Sequence, residues 1–209
     1  MSRLDTLQEH LCKTMRELYA EKILTDIGGN LSFRDPDNEE AIWVTPSRMQ
    51  KNLVQPGHLV KLSLSGDILE NKSGLEPSIE SQIHLAIMRE DVDVSGVIHS
   101  HAPYATSYSL LRDPPILPPL TAELTFLIPA IKVVPYVRSG TKELGEAVTS
   151  AIGECGIVIL ENHGVVACGD TIDQAAQRTR ALEEYFRLFL TVKQFGGGIR
   201  SFSELEEFY

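Results

Sequence analysis

Long apolar runs are missing from this chain of 209 residues, although 43% of its residues are hydrophobic. No segment approaches the roughly 18 consecutive apolar residues that a membrane-spanning helix needs. The first 24 residues carry acidic side chains throughout and lack the uninterrupted apolar segment of a secretory signal. We therefore expect no membrane contact and no export, and we predict a cytoplasmic protein.

Basic residues are also scarce, since 19 lysines and arginines stand against 29 aspartates and glutamates and give a formal net charge of -10. The excess acidic charge is spread through the chain and is not collected in a tail. Distributed negative charge favours solubility and opposes a polyanionic partner. The composition therefore predicts that the protein binds no DNA or RNA.

Only three cysteines are present, Cys12, Cys155 and Cys168. An odd and widely separated set is typical of reduced thiols in a cytosol, and it argues against a disulfide framework or a zinc knuckle. We expect all three to be small buried side chains.

Hydrophobic periodicity predicts helices and strands that interleave along the chain. The first helix has apolar residues at three- and four-residue intervals from Leu4 to Leu18. A second helix is expected to begin at Pro77 and Ser78, where the missing proline N–H is harmless, and to run to Met88. Further helices are predicted from Pro103, over 141–152 and over 172–195. Strands are predicted over 30–33, 41–45, 59–64, 94–99, 130–134 and 156–160.

The proline-rich run 114–119 predicts a loop that is long enough to be suspected of function. No repeat, linker or low-complexity segment divides the alternating helices and strands. The simplest interpretation is one α/β domain that covers residues 1–209.

Two histidines follow an apolar strand, in His99-Ser100-His101. Alternate residues of a strand point the same way, with Cα atoms roughly 6 to 7 Å apart, so both imidazoles can reach one ion. Such pairs also occur by chance. His163 follows a second apolar strand, where it is either a third ligand or a hydrogen-bonded turn histidine. Three imidazoles from two strand ends would leave an open position on the ion, as in a catalytic site.

Several motifs in order resemble the class II aldolase and adducin-head family, which includes fuculose-phosphate aldolase and ribulose-phosphate 4-epimerase. The motifs are Gly29-Asn30-Leu31-Ser32, Thr45-Pro46-Ser47, Pro77-Ser78-Ile79-Glu80 with His84, His99-Ser100-His101-Ala102-Pro103, Ser139-Gly140-Thr141 and Glu161-Asn162-His163-Gly164. Each motif alone is weak, but together they extend over most of the chain.

The resemblance implies that His99, His101 and His163 bind a divalent metal. Zinc is expected first, with manganese, cobalt or iron as alternatives because imidazole sites accept all of them. It also implies that Glu80 is the acid/base residue beside the metal. Burial would raise the pKa of this carboxyl and the ion would lower it. Without the resemblance, Glu80 is an ordinary surface helix residue.

The resemblance further implies a phosphate pocket made of backbone N–H groups, an amide and hydroxyls. Its residues are Gly29, Asn30, Thr45, Ser47 and Ser78. Hydrogen bonds to a charged acceptor are strong, so such a pocket can hold an anion without a full positive charge. As alternatives, Asn30 and Ser47 are turn formers and Ser78 is a helix cap.

Three departures from the family pattern bear on the substrate. Ile79 stands where a second serine is common, and Arg48 stands where a glycine is common. Arg48 is either a replacement anion-binding group or a solvated surface charge. The stretch 120–126 lacks the tyrosine that fuculose-phosphate aldolase uses as an acid, and Glu123 is the candidate to replace it. His10, His58 and His84 are expected to be structural.

The implied fold is an α/β/α sandwich around a mixed, largely antiparallel sheet, in a homotetramer with active sites between subunits. The implied reaction is metal-assisted cleavage of a ketose 1-phosphate through an enediolate, without a Schiff-base lysine. A sugar-phosphate 4-epimerase, a methylthioribulose-phosphate dehydratase-like enzyme and a 3-keto-acid decarboxylase are the alternatives. A non-enzymatic adducin-head-like scaffold is the least expected, because the histidines and Glu80 are all present.

Overall fold

A computed structural model describes residues 2–201 of the chain. In this range the chain forms six α-helices and eight strands. The helices are α1 (Arg3–Ala20), α2 (Ser81–Glu90), α3 (Pro103–Ser109), α4 (Ala122–Leu127), α5 (Lys142–Ile152) and α6 (Ile172–Gln194). The strands are β1 (Asn30–Asp35), β2 (Asn38–Val44), β3 (Val60–Ser63), β4 (Ile68–Glu70), β5 (Gly96–Ser100), β6 (Val133–Val134), β7 (Ile157–Leu160) and β8 (Gly164–Gly169).

The first helix shows how local sequence sets the elements. Ser2 caps α1, because its hydroxyl accepts the Asp5 N–H while the Asp5 carboxylate accepts the Ser2 N–H. This reciprocal pair satisfies two N–H groups that a helix start otherwise leaves free. The predicted apolar stripe then buries Leu11, Met15 and Leu18 completely against the sheet. Thr141 and Thr171 cap α5 and α6 in the same way as acceptors.

All eight strands belong to one sheet with the order β4-β3-β2-β1-β5-β8-β7-β6. Every neighbouring pair is antiparallel except β6 and β7, which are parallel. The centre of the sheet places Asn30 of β1 opposite His99 of β5, and His99 opposite Val166 of β8. The sheet centre therefore fixes where the first predicted ligand lies.

Helices cover both faces of the sheet. A core on one face packs α1, α3, α4 and α6 against the strands, and a second core packs α2 and α5 against the other face. The result is an α/β/α sandwich with a mixed, largely antiparallel sheet. The predicted fold class is thus confirmed.

Some predicted bounds were wrong for identifiable reasons. The helix expected from Pro77 begins only at Ser81, because Pro77 forms a β-bridge with Pro46 and the Ser78 N–H donates to the Thr45 carbonyl. The strand expected over 130–134 is reduced to β6. Three elements were not predicted: β4, α4 and β8.

Two of the three cysteines are buried as expected, and the third is not. Cys12, Cys155 and Cys168 are free thiols; the first and last are buried, whereas Cys155 is only partly so. Burial raises the pKa of Cys12 to about 12 and that of Cys168 to about 11, so both stay protonated near neutral pH. In the part of the chain that the structure describes, no helix is both long and apolar enough to cross a bilayer.

Candidate active site and metal centre

The end of β5 brings two imidazoles to the middle of the sheet. His99 is the penultimate residue of β5 and is completely buried, and His101 follows just after the strand. Their Nε2 atoms lie 3.1 Å apart. The alternation of a strand therefore directs both rings to the same point, as the spacing predicts.

The tight reversal between β7 and β8 supplies the third imidazole. Asn162 has a left-handed backbone with φ of 53°, and His163 follows it. A Cβ atom on Gly164 would lie 2.4 Å from the Ser100 carbonyl oxygen and 2.9 Å from the His101 ring. Only glycine permits this close approach, which places the His163 ring 4.8 Å from the His99 ring between centroids.

Glu80 completes a cluster of four groups. It precedes α2, and its carboxylate lies 3.1 Å from His99 Nε2 and 2.9 Å from His163 Nε2. One ligand atom from each of Glu80, His99, His101 and His163 lies within 4.8 Å of all the others. The structure thus brings together the three predicted ligands and the predicted acid/base residue.

The hydrogen bonding of this cluster fits a cation. His99 Nδ1 donates to the Val165 carbonyl oxygen at 2.9 Å, so a metal would meet the ring through Nε2, which faces His101 Nε2 and the Glu80 carboxylate. Burial, followed by the neighbouring histidines, lowers the pKa of His101 to about 4 and favours its neutral ring. Three imidazoles and one carboxylate that converge in this way are a donor set that suits a divalent metal, and the backbone contact to His99 is a typical outer support.

Glu80 is ionised in this setting. Burial raises its pKa, but the close ion-pair contacts with the His163 and His99 rings outweigh that effect and hold the pKa well below the usual range. Of the two directions considered from the sequence, the structure favours the lowered one. The group is therefore in place as a carboxylate, the form that accepts a proton.

A chain of hydrogen bonds orients the Glu80 carboxylate. His84 is fully buried, and burial lowers its pKa to about 3, so the ring is neutral. The Ser32 hydroxyl donates to His84 Nδ1, and His84 Nε2 donates to the Asn30 Oδ1. The Asn30 amide then donates to Glu80 Oε2 at 3.3 Å. His84 is structural as expected, but its role is to position Asn30.

The two proline motifs lie side by side. The Ser47 N–H donates to the Glu76 carbonyl at 2.8 Å, and the Ser78 N–H donates to the Thr45 carbonyl at 3.2 Å. Ser47 and Ser78 consequently line one open cavity of about 580 Å³, together with Gly29, Asn30, Glu80, His101 and His163. A larger depression of about 1140 Å³ adjoins it across Ser47 and Ser78.

Two of the predicted pocket residues, Gly29 and Thr45, contribute to the backbone structure around the cavity. Gly29 has φ of +90°, which favours glycine, and its missing Cβ would lie 2.5 Å from the Leu24 side chain. Thr45 is completely buried, and its hydroxyl accepts the Leu31 N–H at 3.1 Å. Thr45 does not line the cavity, so its contact supports β1 rather than a ligand.

The family model for the class II aldolase and adducin N-terminal domain matches residues 9–190. The chain belongs to the class II aldolase and adducin family. Its homologues are lyases, and the protein is a metal-dependent carbon-carbon lyase of this family. Enzymes of this class use a divalent metal, in agreement with the chemistry of the four-residue cluster.

Relatives of this class II aldolase carry different activities. An L-fuculose phosphate aldolase of Methanococcus maripaludis is 32% identical over 176 residues, or 84% of this chain and 92% of that protein. A 3-oxo-tetronate 4-phosphate decarboxylase of Haemophilus influenzae is 31% identical over 206 residues, or 97% and 95%. The solved structure of YgbL from Klebsiella pneumoniae, described as an aldolase, epimerase or decarboxylase, has a TM-score of 0.87 at 26% identity and 99% coverage of both chains.

Two of the three departures from the family pattern lie at the cavity. Ile79 lines the cavity and is 59% exposed. Arg48 also lines it, is exposed and has a left-handed φ of 55°. Glu123 is exposed in α4 and lies outside the cavity lining.

One cavity residue was missed by the sequence reasoning. Lys51 is only 1% exposed, although lysine is rarely buried. It lines the same cavity as Glu80 and His101. No periodic pattern singles it out, because it lies in a short irregular connection and its burial depends on residues distant in sequence.

Proposed function

We propose that the protein cleaves the C3–C4 bond of a ketose 1-phosphate in a metal-dependent retro-aldol reaction, in the manner of fuculose-phosphate aldolase. His99, His101 and His163 hold the metal, for which zinc is the first candidate and manganese, cobalt and iron are alternatives. Glu80 is the acid/base residue. Gly29, Asn30, Ser47 and Ser78 surround the substrate phosphate, and Thr45 supports them from behind.

One observation carries the proposal. Glu80, His101 and His163 of the four-residue cluster line the same cavity as Ser47 and Ser78, and His99 lies buried behind them. A bound divalent ion supplies positive charge that polarises a carbonyl and stabilises the negative charge that develops when the C–C bond breaks. The hydroxyls lie where they can hold an anionic group of the same molecule. The cavity therefore suits a small substrate with a carbonyl at one position and an anion nearby.

The proposed reaction requires the Glu80 carboxylate to occupy two positions, one on the histidine cluster and one beside the substrate. With the carboxylate against His99 and His163, four protein groups converge, whereas a catalytic metal site needs an open position. Glu80 must therefore move off the cluster when the substrate carbonyl arrives. Off the cluster, the carboxylate lies beside the substrate, takes up a proton from solvent and donates that proton to C3 after cleavage. The Asn30 amide guides it through the contact with Oε2.

A second group must exchange a proton with the C4 oxygen. The stretch 120–126 has no tyrosine for this step. Glu123 on the exposed surface of α4 is the candidate, and it reaches an active site only across a subunit boundary. A homotetramer with sites between neighbouring subunits is therefore part of the proposal, and light scattering on the purified protein tests it.

Turnover assays on metal-loaded protein test the reaction. Cleavage of a ketose 1-phosphate yields one aldehyde and dihydroxyacetone phosphate, and a coupled NADH assay measures the latter. Ser47→Ala should raise KM for the phosphorylated ketose and leave the unphosphorylated sugar unaffected. Asn30→Ala is less selective, because it also releases Glu80 and His84. Equal effects of Ser47→Ala on both sugars would remove Ser47 from phosphate recognition.

Decarboxylation of a phosphorylated 3-keto acid is the second candidate. It is favoured by the Haemophilus influenzae relative, which matches 97% of this chain and carries that activity in its name. Loss of CO2 from such an acid leaves an enolate, which the same positive charge stabilises. Release of CO2 from a 3-keto acid 4-phosphate, with no cleavage of any ketose phosphate, would replace the aldolase proposal.

A further inference from the structure

Lys51 is the most deeply buried cation that lines the active-site cavity. It begins a short 3-10 turn, Lys51–Leu53, which packs against α1. Its backbone N–H donates to the Asp26 carbonyl at 3.1 Å, so the turn is anchored. The side chain is 1% exposed and reaches the cavity that Ser47 also lines. The position of this ammonium group is therefore set by the fold.

The Lys51 ammonium lacks a counter-charge. Among residues 2–201, no carboxylate lies within ion-pair distance of it, and its side chain makes no hydrogen bond. A second lysine with low exposure, Lys61, pairs with Asp35 at 2.8 Å. Burial lowers the pKa of Lys51 to about 8, and the more distant Glu80 raises it. At neutral pH the free protein thus keeps a buried, unpaired positive charge, which is unfavourable for folding.

An anion in the cavity would correct this imbalance. The Ser47 and Ser78 hydroxyls and the Asn30 amide donate hydrogen bonds but carry no charge. A buried oxyanion needs either many donors or a cation to offset the loss of its hydration. Arg48 is exposed, so it contributes a screened charge at the cavity mouth. Lys51 is the cation that lies inside.

We propose that Lys51 is the charged member of the anion pocket and that its ammonium pairs with an oxyanion of the substrate, either phosphate or carboxylate. This inference rests on the proposed substrate class, a small anionic carbonyl compound. It makes Lys51 a determinant of specificity: the cavity prefers anionic substrates because only they neutralise a charge that the free protein leaves unpaired.

A purely structural Lys51 makes different predictions. If its four-carbon stem matters only for packing, Lys51→Met keeps the apolar contacts and binding is unchanged. If its charge serves the ligand, the same variant loses anion affinity. Removal of an unpaired buried charge should also leave the melting temperature equal or higher, as is common when a functional group is removed from its site.

Anion titration of the metal-loaded protein separates these cases. Inorganic phosphate and malonate are titrated calorimetrically into wild type and Lys51→Met at neutral pH. We expect affinity for at least one anion to fall about tenfold or more, with metal content unchanged. An anion bound at the histidine cluster contributes equally in both proteins, so the difference reports on Lys51. Lys72→Met, which removes an exposed lysine, is the charge control and should change affinity less than twofold.

Each outcome has a defined meaning. If Lys51→Met loses affinity for phosphate, Lys51 binds the phosphate of the substrate. If it loses affinity for malonate alone, Lys51 binds a carboxylate, which favours decarboxylation. Unchanged affinity for both anions overturns the proposal. If Lys51→Met does not fold, Lys51→Gln is measured in its place with the same criteria. Since no turnover is required, a Lys51-dependent affinity in a protein that cleaves no ketose phosphate would refute only the proposed reaction.

Discussion

The two ends of β1 bury charge in opposite ways. At the far end, the Asp35 carboxylate accepts from Trp43 Nε1 at 2.7 Å and from Lys61 Nζ at 2.8 Å. Arg34 beside it donates to four backbone carbonyls. At the near end, about 16 Å away by the rise of a strand, three imidazoles converge with the Glu80 carboxylate, and the Lys51 ammonium has no ion-pair partner among residues 2–201.

The difference separates structural from functional polarity. Buried charges that serve the fold are satisfied within the chain, since an unsatisfied one destabilises the protein. Unsatisfied groups persist where a ligand completes them. In this protein the near end has a donor set suited to one cation at the histidines and, by our proposal, a cation suited to one anion at Lys51. Substitutions at the far end should therefore change stability, and substitutions at the near end should change binding and rate.

The largest effect should come from substitution of a predicted metal ligand. His163→Ala removes one of three imidazoles, and we expect the bound metal to fall from a full equivalent to a small fraction and activity to fall to background. Elemental analysis and the turnover assay measure this. His10→Ala is the control, because His10 pairs with Asp173 outside the cavity. A variant that keeps a full equivalent of metal and full activity would show that His163 is not a ligand.

Glu80→Gln should have the next largest effect. It keeps the shape of the side chain but cannot accept a proton, so turnover should fall by roughly two orders of magnitude or more. Metal content and melting temperature should stay close to wild type. Glu90→Gln, at the exposed end of α2, is the matched control. Loss of stability with intact turnover would instead assign Glu80 to the support of α2.

A substitution at the far end should produce the opposite pattern. Lys61→Met leaves Asp35 buried without its cation, and we expect the free energy of unfolding to fall by roughly 3 kcal/mol. Activity per folded molecule should stay unchanged. Urea titration compared with Lys51→Met sharpens the contrast, since that variant should be at least as stable as wild type. Equal destabilisation by Lys61→Met and Lys51→Met would contradict the distinction between structural charge at the far end of β1 and functional charge at the near end.

The smallest expected effect is on the free energy of unfolding at acid pH. Burial raises the pKa of Asp35, but hydrogen bonds from Lys61, the Asp37 N–H and Trp43 outweigh it and lower the pKa. The stability it contributes is therefore present above about pH 4 and is lost as the pH falls through its folded pKa. Urea unfolding between neutral pH and pH 3 should show a smaller loss in Asp35→Asn than in wild type. An equal loss of unfolding free energy between neutral pH and pH 3 in both proteins would contradict this prediction.

Sequence reasoning found what local patterns and chain order encode. Strand alternation placed His99 and His101 together. The position of His163 after a second apolar strand made it a candidate third ligand, and the resemblance added Glu80. It missed β8 because Val165, Val166 and Ala167 are buried on both faces and show no alternation. The start of α2 was misplaced because the bond from Ser78 to Thr45 joins distant segments. Lys51 was missed for the same reason, since its burial is a tertiary property.

The tight reversal at 160–164 makes a correctly assembled sheet visible to spectroscopy. His163 lies between β7 and β8, and β8 pairs with the strand that carries His99. A slip of one residue in either pairing would turn the side chains to the opposite face and separate the imidazoles. Cobalt added during refolding should therefore develop its ligand-field absorption only when these three strands have reached their native register, later than hydrophobic collapse.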